Sequence, residues 1–313
     1  MTIRAGSRLE QVLHDGGFAV TAEVVPPRNA DPEVVVAQAR ALVGYADAAN
    51  VTDSPTGAAH MSPVAGAGLV AREGLEPVVQ LACRDRNRLA LTGDLLGAWA
   101  LGARNVLCLT GDPPGTGDGP SAVQVHDMDV LELVRFAVGL RDRSEGLDGQ
   151  PVEPAPRYFV GVADLPLAPR YDPTRLERKA DAGADFVQTQ IVYDVDALGE
   201  WADRVRPNGI FEQMFVLVGV APPRSARTAR FVREHLPGVV VPDEVIRRLD
   251  ESEDPAAEGV RLTVEVVKRV REIDGVAGVH VIGLGKEVAV RRVIEDAGLL
   301  PRPESSGQGL PGG

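Results

Sequence analysis

An α/β fold, a single (β/α)8 barrel of the TIM type, is what this sequence predicts, on two observations. Eight strand-like runs alternate with helix-like runs at a spacing of roughly 25–40 residues, and several of the strand-like runs stop abruptly in polar residues. The most informative stop lies at 106–112, where Val106, Leu107, Cys108 and Leu109 pass into Thr110-Gly111-Asp112 and a loop of Gly, Pro and Asp. A buried strand that delivers an acid onto a glycine-rich loop is where such barrels keep their chemistry. A doubly wound sheet is the rival, weakened because no G-x-G-x-x-G follows the first strand.

In chain order, residues 1–17 predict an amphipathic N-terminal helix (Leu9, Val12, Leu13) closed by Gly16-Gly17. Residues 19–25 form a β-branched run halted by Pro26-Pro27, which marks strand one. Helical spacing over 32–44 leads to strand two, Ala46–Thr52, and a helix near 62–74 to strand three, Pro77–Cys83. Residues 88–102 read as the helix before the 106–109 strand, and 128–143 as the helix after its loop. The Gly-, Pro- and acid-rich stretch 144–156 is an exposed connection, and strand five is Tyr158–Val162. Helix 173–182 then precedes strand six, Asp185–Val192, and helix 195–206 precedes strand seven, Phe215–Val220. A helix at 225–235, a small insertion at 237–250 and a long helix at 256–273 follow. Strand eight is placed at Val279–Leu284 and a last helix at 286–297. Residues 1–300 thus make one domain, with 301–313 as a disordered tail.

Composition narrows the function. Across 313 residues the net charge is −12, which argues against nucleic-acid binding through a broad basic surface while leaving room for a local phosphate pocket. Two cysteines in apolar contexts, Cys83 and Cys108, suggest core packing and a reducing cytoplasm rather than a disulfide framework. No signal core precedes the first strand, and no run is long enough to span a membrane. The five histidines have no metal-ligand spacing, and neither a serine nucleophile elbow nor a Walker A loop occurs.

What the strand ends offer is carboxylates and amides: Glu23, Thr52 with Asp53, Gln80, Thr110 with Asp112, Asp164, Gln188 with Gln190, and Lys286 with Glu287. That set suits proton transfer and hydrogen bonding to a polar heterocycle, with a cofactor supplying any redox step. Blander readings stand beside it. Glu23 reads equally as an exposed strand-end carboxylate, Asp112 as a turn cap, and Arg178 with Lys179 as a solvated helix face. Gln190, an amide in an otherwise apolar run, needs partners inside a barrel and so points to a ligand.

The stretches AEVVPPR (22–28), NVTDSP (50–55), PVVQLACRDRN (77–87), NVLCLTGDPP (105–114), RKADAGADFVQTQIVYD (178–194) and GVHVIGLG (278–285) carry more than composition does. In this order they resemble the 5,10-methylenetetrahydrofolate reductases, flavoproteins built on a (β/α)8 barrel. The DSP and CRDRN forms look most like the branch found in one-carbon pathways of various bacteria and archaea. The resemblance implies a folate substrate, FAD as cofactor and NADH or NADPH as donor, giving 5-methyltetrahydrofolate.

Residue by residue, it implies Glu23 as the general acid and Asp112 as the aspartate near flavin and pterin. Gln190 matches the glutamine that hydrogen-bonds the pterin. Thr52, Gln80, Thr110 and Gly111 match positions lining the flavin, Thr52 also facing the folate. Arg178 and Lys179 match a pair beside its phosphate and ribityl region. His126 stands where some relatives begin this part of the flavin site with an aromatic residue. The segment GVADLPLAPRY (161–171) departs from the family, with Ala163 and Leu165 where polar or aromatic groups wrap the flavin. That departure keeps three alternatives open: FMN in place of FAD, a flavin-free reductase, and a folate-binding subunit of a larger complex. Assembly with a second copy or a partner also stays open, and an aldolase-type barrel would need Lys286 as its Schiff base.

Overall fold

In the computed structural model, residues 3–112, 122–283 and 285–303 are described. Eight parallel strands close into a barrel in simple sequence order: β1 (Ala19–Val24), β2 (Ala48–Val51), β3 (Pro77–Ala82), β4 (Asn105–Leu109), β5 (Phe159–Asp164), β6 (Phe186–Ile191), β7 (Phe215–Val220) and β8 (Val276–Val281). Closure is made by β8 against β1, with Ala19 opposite Gly278 and Ala22 opposite Val281. The outer ring holds α2 (Pro32–Leu42), α3 (Pro63–Arg72), α4 (Arg88–Ala100), α5 (Val130–Arg143), α6 (Thr174–Asp181) and α7 (Val195–Val205). It continues with the short α8 (Ile210–Gln213), then α9 (Ala226–His235), α10 (Asp243–Glu251), α11 (Pro255–Val270) and α12 (Glu287–Asp296). The helix that precedes the barrel, α1 (Arg8–His14), begins at Ser7, whose hydroxyl accepts from the Glu10 N–H.

Side-chain alternation along the strands decides what lies inside. Val20, Ala22 and Val24 of β1 point out against the helices, in one cluster with Val35, Ala39 and Leu42 of α2. The opposite parity fills the barrel in layers. Its floor is apolar: Ala19, Ala48, Val78, Leu107, Phe159, Phe186 and Leu217 pack on Leu9, Val12 and Leu13, so α1 plugs the bottom. Phe159 and Phe186 stack there with centroids 4.9 Å apart. A Cβ on Gly161, one layer above Phe159, would overlap the Phe186 ring, so glycine is what admits the large side chain. Gly161→Ala is expected to cost about 1–3 kcal/mol by overpacking, read as a lowered urea midpoint at unchanged slope.

The predicted elements are found with shifted ends. Strand eight starts three residues early, at Val276, because Gly278 can press its backbone against Ala19, where a side chain could not fit. The expected insertion at 237–250 is a segment plus α10, whose Val239, Val241, Val245 and Leu249 pack with Ala229 and Val232 of α9. Of the stretch expected as a tail, residues 301–303 are described, and there the buried Arg302 side chain pairs with Asp47 and donates to the Phe18 carbonyl at 2.8 Å. Residues 304–313 lie outside the described residues, as do 113–121 of the loop after β4 and Leu284. Among the described residues no helix is long and apolar enough to cross a membrane.

Both cysteines are free and buried. Burial pushes the Cys83 thiol up to about 11, and that of Cys108 higher still. Neither is expected to react with a thiol-specific disulfide reagent at pH 8 until the protein is unfolded; rapid labelling of native protein would contradict this.

Candidate active site

Above the apolar floor the barrel interior turns polar. Thr21 of β1, Asn50 of β2, Gln188 of β6 and His280 of β8 are all buried and bonded to one another. His280 Nδ1 lies 2.9 Å from Thr21 Oγ1, and Gln188 Nε2 donates to Thr21 Oγ1 at 3.1 Å. Asn50 and Gln188 exchange amide hydrogen bonds of 2.6 and 3.1 Å. The four side chains form a hydrogen-bonded chain, His280–Thr21–Gln188–Asn50, that makes a shelf under the mouth. Glu23 stands one layer higher on β1, its Oε1 3.9 Å from His280 Nε2.

At the C-terminal ends of the strands a cavity of about 730 Å³ opens. One wall presents Glu23, Thr52 and Gln80, from the first three strands. The next presents Thr110, Gly111 and Asp112 from the loop after β4. The far end holds Asp164 and the cations Arg170, Arg175 and Lys179. Thr52 Oγ1 is buried with no hydrogen-bond partner among the described residues, an arrangement that a bound polar ligand would satisfy. Asp53, beside it, is occupied structurally: it accepts from Ala82 N–H at 2.8 Å and from Arg86 at 2.6 Å, tying β2 to β3.

Charge at the far end is shaped by burial. Lys179 Nζ donates to the Ala163 carbonyl at 2.6 Å, and desolvation lowers its pKa against the opposing pull of Asp164. Burial raises the Asp164 carboxyl in turn, although Lys179 and the Tyr171 hydroxyl, 2.8 Å from Oδ2, favour its ionised form. The far end thus sets Arg170, Arg175 and Lys179 beside Asp164 and Asp172.

Of the residues expected from sequence, Glu23, Thr52, Gln80, Thr110, Gly111, Asp112 and Lys179 share this one cavity. Six others, Arg178, His126, Gln188, Gln190, Lys286 and Glu287, do not line it. Arg178 is exposed; Arg175, one helical turn before Lys179 on α6, takes the place beside that lysine because i and i+4 share a face. His126 is exposed and meets Gln124 at 3.0 Å. Gln190 is half-buried, its amide oxygen accepting from Ile191 N–H at 2.9 Å and its amide nitrogen 3.4 Å from the Pro237 carbonyl. Lys286 is exposed, outside the cavity wall. The sequence reading missed Arg170, Arg175 and, apart from Gln188, the buried polar chain, and it placed Gln188 at the mouth rather than in that chain below it. For Arg175 the signal was present, since helical phase from Lys179 selects it.

Residues 8–298 match the family profile of methylenetetrahydrofolate reductase. The chain is 30% identical over 241 residues to methylenetetrahydrofolate reductase 1 of Schizosaccharomyces pombe, covering 72% of this chain and 36% of that protein. It is 26% identical to methylenetetrahydrofolate reductase 2 of Saccharomyces cerevisiae, covering 73% and 37%. To the Escherichia coli 5,10-methylenetetrahydrofolate reductase it is 26% identical, covering 75% and 74%. The match thus spans little more than a third of the yeast proteins and about three quarters of the bacterial one. Among solved structures, an uncharacterized Clostridium thermocellum protein that binds two copies of 5-methyl-5,6,7,8-tetrahydrofolic acid superposes with a TM-score of 0.62 at 14% identity, covering 94% of this chain and 99% of that one, and so shares the fold. With a profile match from α1 through α12, the chain belongs to the methylenetetrahydrofolate reductase family.

Proposed function

We propose that residues 1–300 act as one reductase domain that converts 5,10-methylenetetrahydrofolate to 5-methyltetrahydrofolate, with NADH or NADPH as the ultimate hydride donor. The observation that carries this reading is the meeting of Glu23, Thr52, Gln80, Asp112 and Lys179 around one mouth cavity. The family match supports the substrate. Relatives named for NADPH, in Caenorhabditis elegans, and for NADH, in Arabidopsis thaliana, support a nicotinamide donor of either kind.

The cavity's residues fit a flavin. Thr52 offers a buried hydroxyl with no partner among the described residues and Gln80 an amide, while Arg175 and Lys179 supply charge for a phosphate. These residues and Gly111 would hold FAD or FMN, which when bound supplies reversible hydride storage. The remaining work falls to the chain. Glu23 delivers a proton to the bridge nitrogen N10, the bond from that nitrogen to the methylene carbon breaks, and a 5-iminium folate forms. Hydride arriving at the iminium carbon completes the methyl group. The Asp112 carboxylate stabilises the cationic folate, and Gln190 turns its amide to the pterin, releasing the 2.9 Å bond from Ile191 N–H and the long contact to the Pro237 carbonyl. Two buried free thiols suit a reducing cytoplasm.

Direct transfer from nicotinamide to folate is a second reading. It is favoured by Ala163 and Leu165 in the cavity wall and by the positions of His126 and Arg178 outside it. An absorbance spectrum of protein supplied with FAD or FMN, freed of excess and titrated anaerobically, separates the two. Bleaching by NADH or NADPH and recovery on adding methylenetetrahydrofolate is the expected result. Colourless protein that still forms 5-methyltetrahydrofolate supports the second reading, and colourless protein that forms none overturns both.

A further inference from the structure

One buried cation holds the acidic mouth loop at both of its described ends. Arg84 follows β3, and its side chain is only 3% exposed although it borders the cavity. The guanidinium grips Asp85 through Nε at 2.8 Å and Nη2, leaving its other N–H groups for two carbonyls. Nη1 donates to the Asp112 carbonyl at 2.9 Å, and Nη2 to the Ser54 carbonyl at 3.3 Å. The backbone of the same residue adds two bonds: its N–H donates to Thr110 O at 3.0 Å, and its carbonyl accepts from Val125 N–H at 2.7 Å. Gly111, at φ +90°, brings the loop close enough for this, since a Cβ there would sit 2.7 Å from Arg84 Cβ. One residue therefore links the ends of β2, β3 and β4 and both sides of the segment 113–121.

We propose that Arg84 is a positioning residue for folate reduction, fixing the backbone of Asp112 so that its carboxylate stays at the mouth. The inference rests on the reductase reading for its chemical consequence, and on geometry alone for the clamp. Asp85 orients the guanidinium fork, so the two carbonyls receive N–H groups whose directions are set before substrate arrives. Lysine cannot reproduce this, because a single ammonium has no planar fork with which to hold Asp85 and two carbonyls together.

The test has two arms, on Arg84→Gln and Arg84→Lys in the full chain. In hydrogen exchange, peptides covering 108–112 and 122–126 should lose protection while β1, β6 and β8 keep theirs. Unchanged exchange in both variants overturns the clamp. In turnover, each variant should lose about 10²-fold in kcat, with KM for the folate moving much less. The discriminating measurement is the cycle with Asp112→Asn. Arg84→Gln in an Asp112→Asn background should cost little further, because the group being positioned is already gone. Multiplicative losses, or full kcat in Arg84→Lys, would overturn the positioning role and leave a purely structural one. Wild-type protein without turnover instead overturns the reductase reading and with it the chemical half of this inference, while the exchange arm still decides the clamp.

Discussion

Glu23→Gln is expected to lower kcat for methylenetetrahydrofolate reduction by about 10²–10⁴-fold, the usual worth of a positioned general acid. Opening the methylene bridge requires a proton at a nitrogen that becomes the leaving group, and Glu23 is the carboxyl that β1 carries to the mouth above the buried polar chain. Glutamine keeps the shape and the hydrogen bonding of glutamate but holds no transferable proton. Folate affinity, measured by titration, should therefore change little. Nicotinamide oxidation by the flavin-loaded variant, followed with an artificial acceptor, should also persist, since that half of the reaction needs no proton from Glu23. Equal loss of both half-reactions would show that Glu23 shapes the cavity rather than serving as the acid.

Asp47→Ala should be the most damaging substitution for stability, costing about 3–5 kcal/mol, the usual range for breaking a buried ion pair from one side. Asp47 is fully buried just before β2 and accepts from the Val20 N–H at 2.9 Å. It also pairs with Arg8 at 3.2 Å, from the first helix, and with Arg302, which follows the last. Arg302, with a side chain 5% exposed, spends its remaining donors on the Phe18 and Leu299 carbonyls, each at 2.8 Å. This cluster joins α1 and the segment after α12 to the start of β2. Alanine would strand Arg302 as an unpaired buried cation and orphan the Val20 N–H. Urea denaturation of Asp47→Ala, Arg302→Ala and the double variant checks the coupling. The double variant should fall well short of the summed single losses, since the second partner no longer leaves a stranded charge. Additive losses, or a loss under 1 kcal/mol for Asp47→Ala, would contradict the account.

Local sequence made the barrel legible because parallel strands buried on both faces read as apolar runs stopped by Gly, Pro or polar residues. It also placed Glu23, Thr52, Gln80 and Asp112, since a residue at a strand's C-terminal end in this fold has one destination, the mouth. Side-chain direction on helices was harder. Arg178 and Lys179 are adjacent, but adjacent helical residues diverge by about 100°, so only one of them can face the cavity. Arg175 supplies the second charge from the correct face. Long-range pairings left no local trace at all. Nothing near Asp47 announces Arg302, 255 positions away, and the apparent tail at 301–303 is where that contact is made. The same holds for the buried polar chain: Thr21, Asn50 and His280 each look like an isolated polar residue in a strand, and Gln188 like a mouth residue, until closure brings four strands together.

The central claim, that this mouth cavity reduces a folate with Glu23 as the acid, is tested most directly by a single anaerobic assay. Wild-type protein and Glu23→Gln would be incubated with methylenetetrahydrofolate and NADH or NADPH, with FAD or FMN present and absent, and 5-methyltetrahydrofolate quantified. The account predicts product from the wild type under at least one of these conditions and a rate at least about 10²-fold lower from the variant, with folate binding retained by both. Equal rates from the two proteins, or folate binding by the wild type with no product under any condition, would contradict it.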